Sequence, residues 1–153
     1  MFVFLDSREK PRAITKILKT FDLEGIEYET NKLFVGDYMC PDNPLVYIDR
    51  KQNLTEMAQN ATSGHKRFKA ELERTKRIGA KLYILIEQDR FGDTELKELS
   101  DIICWKPTYG QICGEQIYRI LASWAAKYNI EFVFCHKKDT GREIIRLLGG
   151  GDD

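Results

Sequence analysis

Val35-Gly36-Asp37-Tyr38, then a loop carrying Pro41 and Pro44, then Val46-Tyr47-Ile48-Asp49-Arg50-Lys51: this stretch decides the fold. Val46, Tyr47 and Ile48 favour an extended backbone, and the prolines belong in the turn before them. Side chains alternate along a strand, so Asp49 and Lys51 share one face and Arg50 takes the other. Asp37 follows Gly36 where the neighbouring strand begins or ends. If the two strands pair as a hairpin, Asp37 reaches the site of Asp49. Two acids held close need a cation between them, and oxygen-only ligation suits Mg2+ or Mn2+. A plainer reading stands beside this one. Charged residues at strand ends are commonly solvated, and exposed ion pairs contribute little.

Outward from this stretch, secondary structure alternates. Phe2 to Leu5 is a short apolar run that reads as a buried strand. Asp6-Ser7-Arg8-Glu9 follows, with Ser7 as an expected N-cap, Pro11 in the first helical turn and Gly25 at the helix end. Acids here are also ordinary helix-start chemistry. Ile26 to Val35 reads as extended in two halves about Asn31. Leu54 through Leu72 has helical periodicity that Ser63-Gly64 kinks or breaks. Its polar face carries Lys66, Arg67, Lys69, Arg74, Lys76 and Arg77, with Lys81 beyond and Glu71 and Glu73 among them. This is either a solvated face with pairs such as Glu73–Arg77, or a ridge that contacts phosphates.

Leu82 to Glu87 is the next strand, and a short helix is expected through Leu96, Leu99, Ile102 and Ile103. Trp105-Lys106-Pro107-Thr108-Tyr109-Gly110 is a loop suited to core packing or to base stacking. A helix through Ile117 to Tyr128, a strand Ile130 to Cys135 and a helix opened by Asp139 complete the pattern. The order β-α-β-β-α-β-α-α-β-α predicts a three-layer α/β domain, a central mixed β-sheet flanked by helices.

Residues 1–148 read as a single domain and 149–153 as a flexible Gly/Asp tail. Lys+Arg and Asp+Glu both total 24, so only local clustering of charge can attract a polyanion. Cys40, Cys104, Cys113 and Cys135 form no C-x-x-C pair and read as free thiols. His65 and His136 have no ligand spacing. No run approaches a membrane span and no signal-peptide pattern opens the chain, so a cytoplasmic, nucleoid or nuclear protein is expected. Trp124, Tyr128, Phe132, Phe134, Leu147 and Leu148 are more apolar surface than a helix-strand-helix unit needs, which predicts an interface.

Gly36-Asp37 followed by Asp49-Arg50-Lys51 resembles the G-D-x(n)-E-R-K motif of the XPF family, a branch of the PD-(D/E)XK nucleases. Asp6-Ser7-Arg8-Glu9 resembles that family's D-x-R-E element. Arg67-Phe68 through Gly79, reading R-F-x(5)-R-x-K-R-x-G, resembles the segment that follows. The likeness spans roughly residues 2 to 87. It implies a restriction-endonuclease-like fold and a metal-dependent DNA endonuclease acting on branched or flapped duplex. It also implies that Asp37 and Asp49 hold Mg2+ or Mn2+, that Lys51 assists the attacking water, that Asp6 belongs to the catalytic set with them, and that Arg8, Glu9 and Arg50 line the cleft. Members work as paired nuclease domains, which implies a homodimer or a partner nuclease-fold subunit. Two positions depart from the pattern: Asp49 stands for the family's Glu, and Thr55 where an Asp is frequent. A nuclease-fold module that binds DNA without cutting, and a restriction or recombination nuclease of other specificity, are the alternatives.

Overall fold

A computed structural model of the chain describes residues 1–107 and 112–149. Among these lie strands β1 (Phe2–Asp6), β2 (Glu27–Asn31), β3 (Tyr38–Met39), β4 (Val46–Lys51), β5 (Lys81–Ile86), β6 (Arg90–Phe91), β7 (Thr94–Glu95) and β8 (Ile130–Phe134). The α-helices are α1 (Thr15–Leu23), α2 (Leu54–Ala61), α3 (His65–Arg77), α4 (Gly114–Lys127) and α5 (Thr140–Leu148). Six strands make one mixed sheet in the order β2-β1-β3-β4-β5-β8. The pairs β1–β2, β4–β5 and β5–β8 are parallel, whereas β3 is antiparallel to both β1 and β4. Two-residue β3 therefore bridges the β1–β2 pair and the β4–β5–β8 half of the sheet.

Helices cover both faces, as the pattern predicts. On one side α2, α3 and α4 pack through Leu54, Met57, Phe68, Leu72 and Leu121 against Leu82, Ile84 and Ile86. On the other, α1 and α5 pack through Ile17, Phe21, Ile144 and Leu147 against Val3, Ile48 and Leu85. Central β5 is buried on both faces, which is why Leu82-Tyr83-Ile84-Leu85-Ile86 reads as an unbroken apolar run. Each fully buried side chain of this kind contributes about 1.5–3 kcal/mol by leaving water. Among the described residues no helix is long and apolar enough to cross a membrane.

Several local readings change. Ser7 caps nothing. A 3-10 helix at Pro11–Ile14 precedes α1, and the turn after β1 is closed by Asp6, whose Oδ2 accepts the Arg8 N–H at 3.1 Å. Residues 33–35 are not a strand, because the Leu33 N–H goes to the Asp6 side chain rather than to a ladder. The helix expected around Leu96 is instead the β6–β7 hairpin and a 3-10 helix, Leu99–Cys104, opened by a reciprocal Glu98–Asp101 capping box. Asp139 stands at the N-cap of α5 without a side-chain capping bond. Ser63-Gly64 does break the long helix, into α2 and α3.

The apolar set expected at an interface is mostly interior: Trp124, Tyr128, Leu147 and Leu148 are each at most 5% exposed. The three-layer arrangement uses both faces of β5 and β8, so the apparent excess is consumed by the core. Trp105 is also buried, which settles the packing reading for that ring. Thr108, Tyr109 and Gly110 of the same loop, and the tail from Gly150, lie outside the described residues.

Cys40 and Cys135 are buried while Cys104 and Cys113 are exposed. Burial pushes the Cys135 thiol up to about 12, which leaves almost no thiolate at neutral pH. Titration of the native protein with Ellman's reagent is expected to modify Cys104 and Cys113 rapidly. Cys40 and Cys135 should react only on unfolding, and rapid modification of all the thiols would contradict the packing of α5 on the sheet.

Candidate active site

The site begins with a backbone constraint. Gly36 has φ +68°, and a Cβ there would stand 2.8 Å from the Ile48 carbonyl oxygen. Only glycine fits both the left-handed angle and the close approach. The next residue is gripped from both sides. Asp37 N–H donates to the Ile48 carbonyl at 2.6 Å, and the Asp37 carbonyl accepts the Asp6 N–H at 2.7 Å. Its side chain accepts the Arg50 N–H through Oδ2 at 2.8 Å. Tyr38 pairs with Ile48 in the β3–β4 register, so Asp37 ends up beside the C-terminal half of β4.

The alternation of β4 places Tyr47, Asp49 and Lys51 on the α3 side and Ile48 and Arg50 on the α1 side. Lys51 Nζ lies 3.2 Å from Asp49 Oδ1 and 4.8 Å from the centre of the Phe68 ring on α3. Asp49 Oδ2 is buried with no hydrogen-bond partner among the described residues. From α3, Glu71 accepts the Gly36 N–H through Oε2 at 3.0 Å. Asp37, Asp49 and Lys51 line one cavity of about 300 Å³ with Arg8, Glu9 and Glu56.

Negative charge is in excess here. Burial, and then the neighbouring Asp49 carboxylate, push Asp37 well above the ordinary carboxylate range. Burial and Asp49 likewise push Glu71 up to about 8. Burial works against the charge on Lys51, yet Asp49 and Glu71 outweigh it and its pKa is raised. One ammonium thus faces Asp37, Asp49 and Glu71, of which Glu71 is largely protonated at neutral pH in the absence of a cation, with a side-chain hydrogen bond to Asp49 contributing to its shift.

The opposite face of β4 is balanced. Arg50 donates through Nε and Nη2 to Glu9, both at 2.8 Å, and through Nη1 to Glu87 at 2.6 Å. Glu87 in turn accepts the Thr140 hydroxyl at 2.6 Å. Burial opposes the Arg50 charge, but the two glutamates raise its pKa. Arg50 and Glu9 are therefore a buried ion-paired bracket at the edge of the cavity. Asp6 is not brought into the cavity. It is fully buried, and its oxygens are taken by the Arg8 side chain at 2.6 Å and by the backbone N–H groups of Arg8 and Leu33. Arg8 itself is largely exposed and lines the cavity.

The basic residues of α3 do not form one ridge. Arg67 and Arg74, with Glu71 between them, line a groove of about 530 Å³ that shares Arg8, Lys51 and Glu56 with the carboxylate cavity. Lys76 sits 5.8 Å from the centre of the Tyr128 ring, at the α4 side. Lys66, Lys69 and Arg77 are exposed and line neither cavity. Glu73 pairs not with Arg77 but with the Tyr128 hydroxyl and, at 3.7 Å, with Lys127. Three residues at the site had no functional reading from sequence: Glu71, Glu87 and Phe34. Phe34 is 52% exposed at the rim, with the Arg74 guanidinium 5.9 Å from its ring. An acid inside an otherwise basic helix was the visible signal for Glu71, but its partner Gly36 lies 35 positions away.

The ERCC4 domain family model matches residues 5–147. No curated protein matches the chain. Among solved structures, XPF from Aeropyrum pernix superposes with a TM-score of 0.69 at 18% identity, covering 99% of this chain and 65% of that one. XPF from Aeropyrum pernix in complex with DNA gives 0.68 at 19% identity, covering 98% and 64%. These likenesses are of fold. The chain spans just under two thirds of the length of the XPF chains it matches.

Arg50→Ala is expected to cost about 3–5 kcal/mol in urea unfolding, because Glu9 and Glu87 would be left buried and unpaired. Arg50→Lys should recover only part, since an ammonium cannot make the forked contacts to both glutamates. A loss below about 1 kcal/mol for Arg50→Ala would show that the bracket is solvated.

Proposed function

The chain belongs to the ERCC4 domain family, and we propose that it is a metal-dependent DNA endonuclease that hydrolyses phosphodiester bonds in branched or flapped duplex. One observation carries the reading: Asp37 and Asp49 face a single cavity with Lys51 beside them, and a buried Asp49 oxygen lacks any partner among the described residues. The family supports nuclease chemistry, and the solved XPF complex with DNA supports the choice of substrate.

The residues fit a divalent cation. Among the described residues no group of three His, Cys, Asp or Glu is arranged to cage a metal. Two carboxylates suffice for Mg2+ or Mn2+, which keeps several waters and takes further oxygens from a substrate phosphate. When bound by Asp37 and Asp49, the cation supplies the positive charge that offsets the carboxylates and polarises the phosphate. The chain's own residues do the rest. The Arg50 N–H holds one Asp37 oxygen and fixes that carboxylate's direction. Phe68 and Asp49 fix the Lys51 ammonium. Asp49 and Glu71 favour the charged form of Lys51, which is placed to hydrogen bond the attacking water and to offset the developing charge on phosphorus. Arg67 and Arg74 seat the flanking phosphates.

Labelled flap, fork and linear duplexes with Mn2+, Mg2+ or a chelator test the proposal. Cleavage near the branch, absent with chelator, is expected. Asp37→Asn and Asp49→Asn should each lower the rate at least about 10²–10³-fold while the fold and most DNA affinity remain, and Lys51→Ala should lose activity but keep metal binding. Undiminished cutting by Asp49→Asn would overturn the assignment.

The division of α3 gives a separate expectation. Arg67→Ala with Arg74→Ala should weaken DNA binding and reduce the log–log salt slope by about one unit for each phosphate that is no longer neutralised. Lys66→Ala with Arg77→Ala, on the solvent side, should change the slope less. Equal effects would mean that the whole helix, not the groove stripe, meets the backbone.

A further inference from the structure

A second cavity of about 380 Å³ opens on the other side of the β4 end, lined by Arg12, Thr15, Lys16, Lys137, Arg50 and Glu87, among others. It adjoins the carboxylate cavity, because Ala13, Arg50 and Gln52 line both. The charge of Arg50 is already spent on Glu9 and Glu87. The free charge is therefore that of Arg12, Lys16 and Lys137, all exposed, and among the described residues none of the three is ion-paired.

The fold assembles this cluster from distant parts of the chain. Arg12 and Lys16 lie four residues apart, at the turn into α1, away from the buried Ile17 and Phe21. Lys137 arrives just before α5, which can seat closely on α1 because Gly141 has no side chain: a Cβ there would come within 2.7 Å of the Thr20 Cβ. Like charges gathered this way repel one another and do not stabilise the fold. Core packing does not need them, and a net charge of zero does not produce them by chance of excess.

We infer that this cavity is a second phosphate-binding arm for a nucleic-acid strand. Arg67 and Arg74 hold the strand on one side of the carboxylate cavity, and Arg12, Lys16 and Lys137 hold it on the other. The reacting phosphate is then gripped between two basic flanks, and the strand continues across Ala13 and Gln52 into the second cavity. The inference rests on the proposed function, since it takes the same substrate at the same site.

The test uses the full chain and the variant Arg12→Gln/Lys16→Gln/Lys137→Gln, whose positions are exposed and whose folding is checked by thermal melting. Binding to labelled oligonucleotides is measured against salt in Ca2+ without turnover, with strands extended on one side, the other side, or both sides of the branch. The variant is expected to lose about two to three units of salt slope. It should also lose the gain in affinity that extension on one side gives the wild type, while keeping the gain from the other. A variant that matches the wild type in slope and in both extensions, while the wild type still cuts, overturns this inference alone. A wild type that neither binds nor cuts any of these substrates overturns the proposed function with it.

Discussion

Arg50 is the cation on which the arrangement of this domain depends. One guanidinium joins Glu9 after β1 to Glu87 after β5, and Glu87 reaches the start of α5 through Thr140. A buried ion cluster of this kind contributes little net stability compared with apolar packing of the same volume. What it does supply is position. It ties the segment after β1 to the end of β4 across Asp37, and the end of β4 to the segment after β5. Asp37, whose side chain accepts the Arg50 N–H, is held by the same residue through its backbone.

The two faces of β4 are opposite electrostatic cases. On the α1 side Arg50 is matched by two glutamates, with each of its hydrogen bonds to them at 2.8 Å or less. On the α3 side Lys51 alone faces Asp49, with Asp37 and Glu71 nearby and an Asp49 oxygen left without a partner among the described residues. A folded domain does not tolerate that imbalance for stability's sake, since repulsion and desolvation both raise the carboxylate pKa values. Perturbed carboxylates of this kind are frequent at functional sites, and under the proposed function a divalent cation relieves the imbalance.

Charge is also sorted over longer distances. Equal numbers of acids and bases give no net field at long range, yet the carboxylates meet at the centre of the cleft and cations flank it on both sides. Such a layout favours a polyanion that crosses the cleft over one that meets it end-on. Under the proposed function it also separates affinity from chemistry, because the cations that would attract phosphate are not the groups that would react with it.

The order of most elements, the mixed three-layer architecture and the pairing of Asp37 with Asp49 and Lys51 were legible in the sequence. Each is a local property: strand alternation puts Asp49 and Lys51 on one face, and glycine before Asp37 marks a tight turn. Asp6 was misleading because an acid after a strand looks the same whether it points into a cleft or, as here, back into its own turn toward Leu33 and Arg8. Trp124 and Leu147 looked like excess surface because a sequence does not say how many faces a sheet will have covered. Only the tertiary structure brought Glu71 to Gly36, Glu87 to Arg50, and Lys137 to Arg12 and Lys16. These meetings join residues far apart in the chain, and they exist only once the sheet has closed and both helical layers have docked.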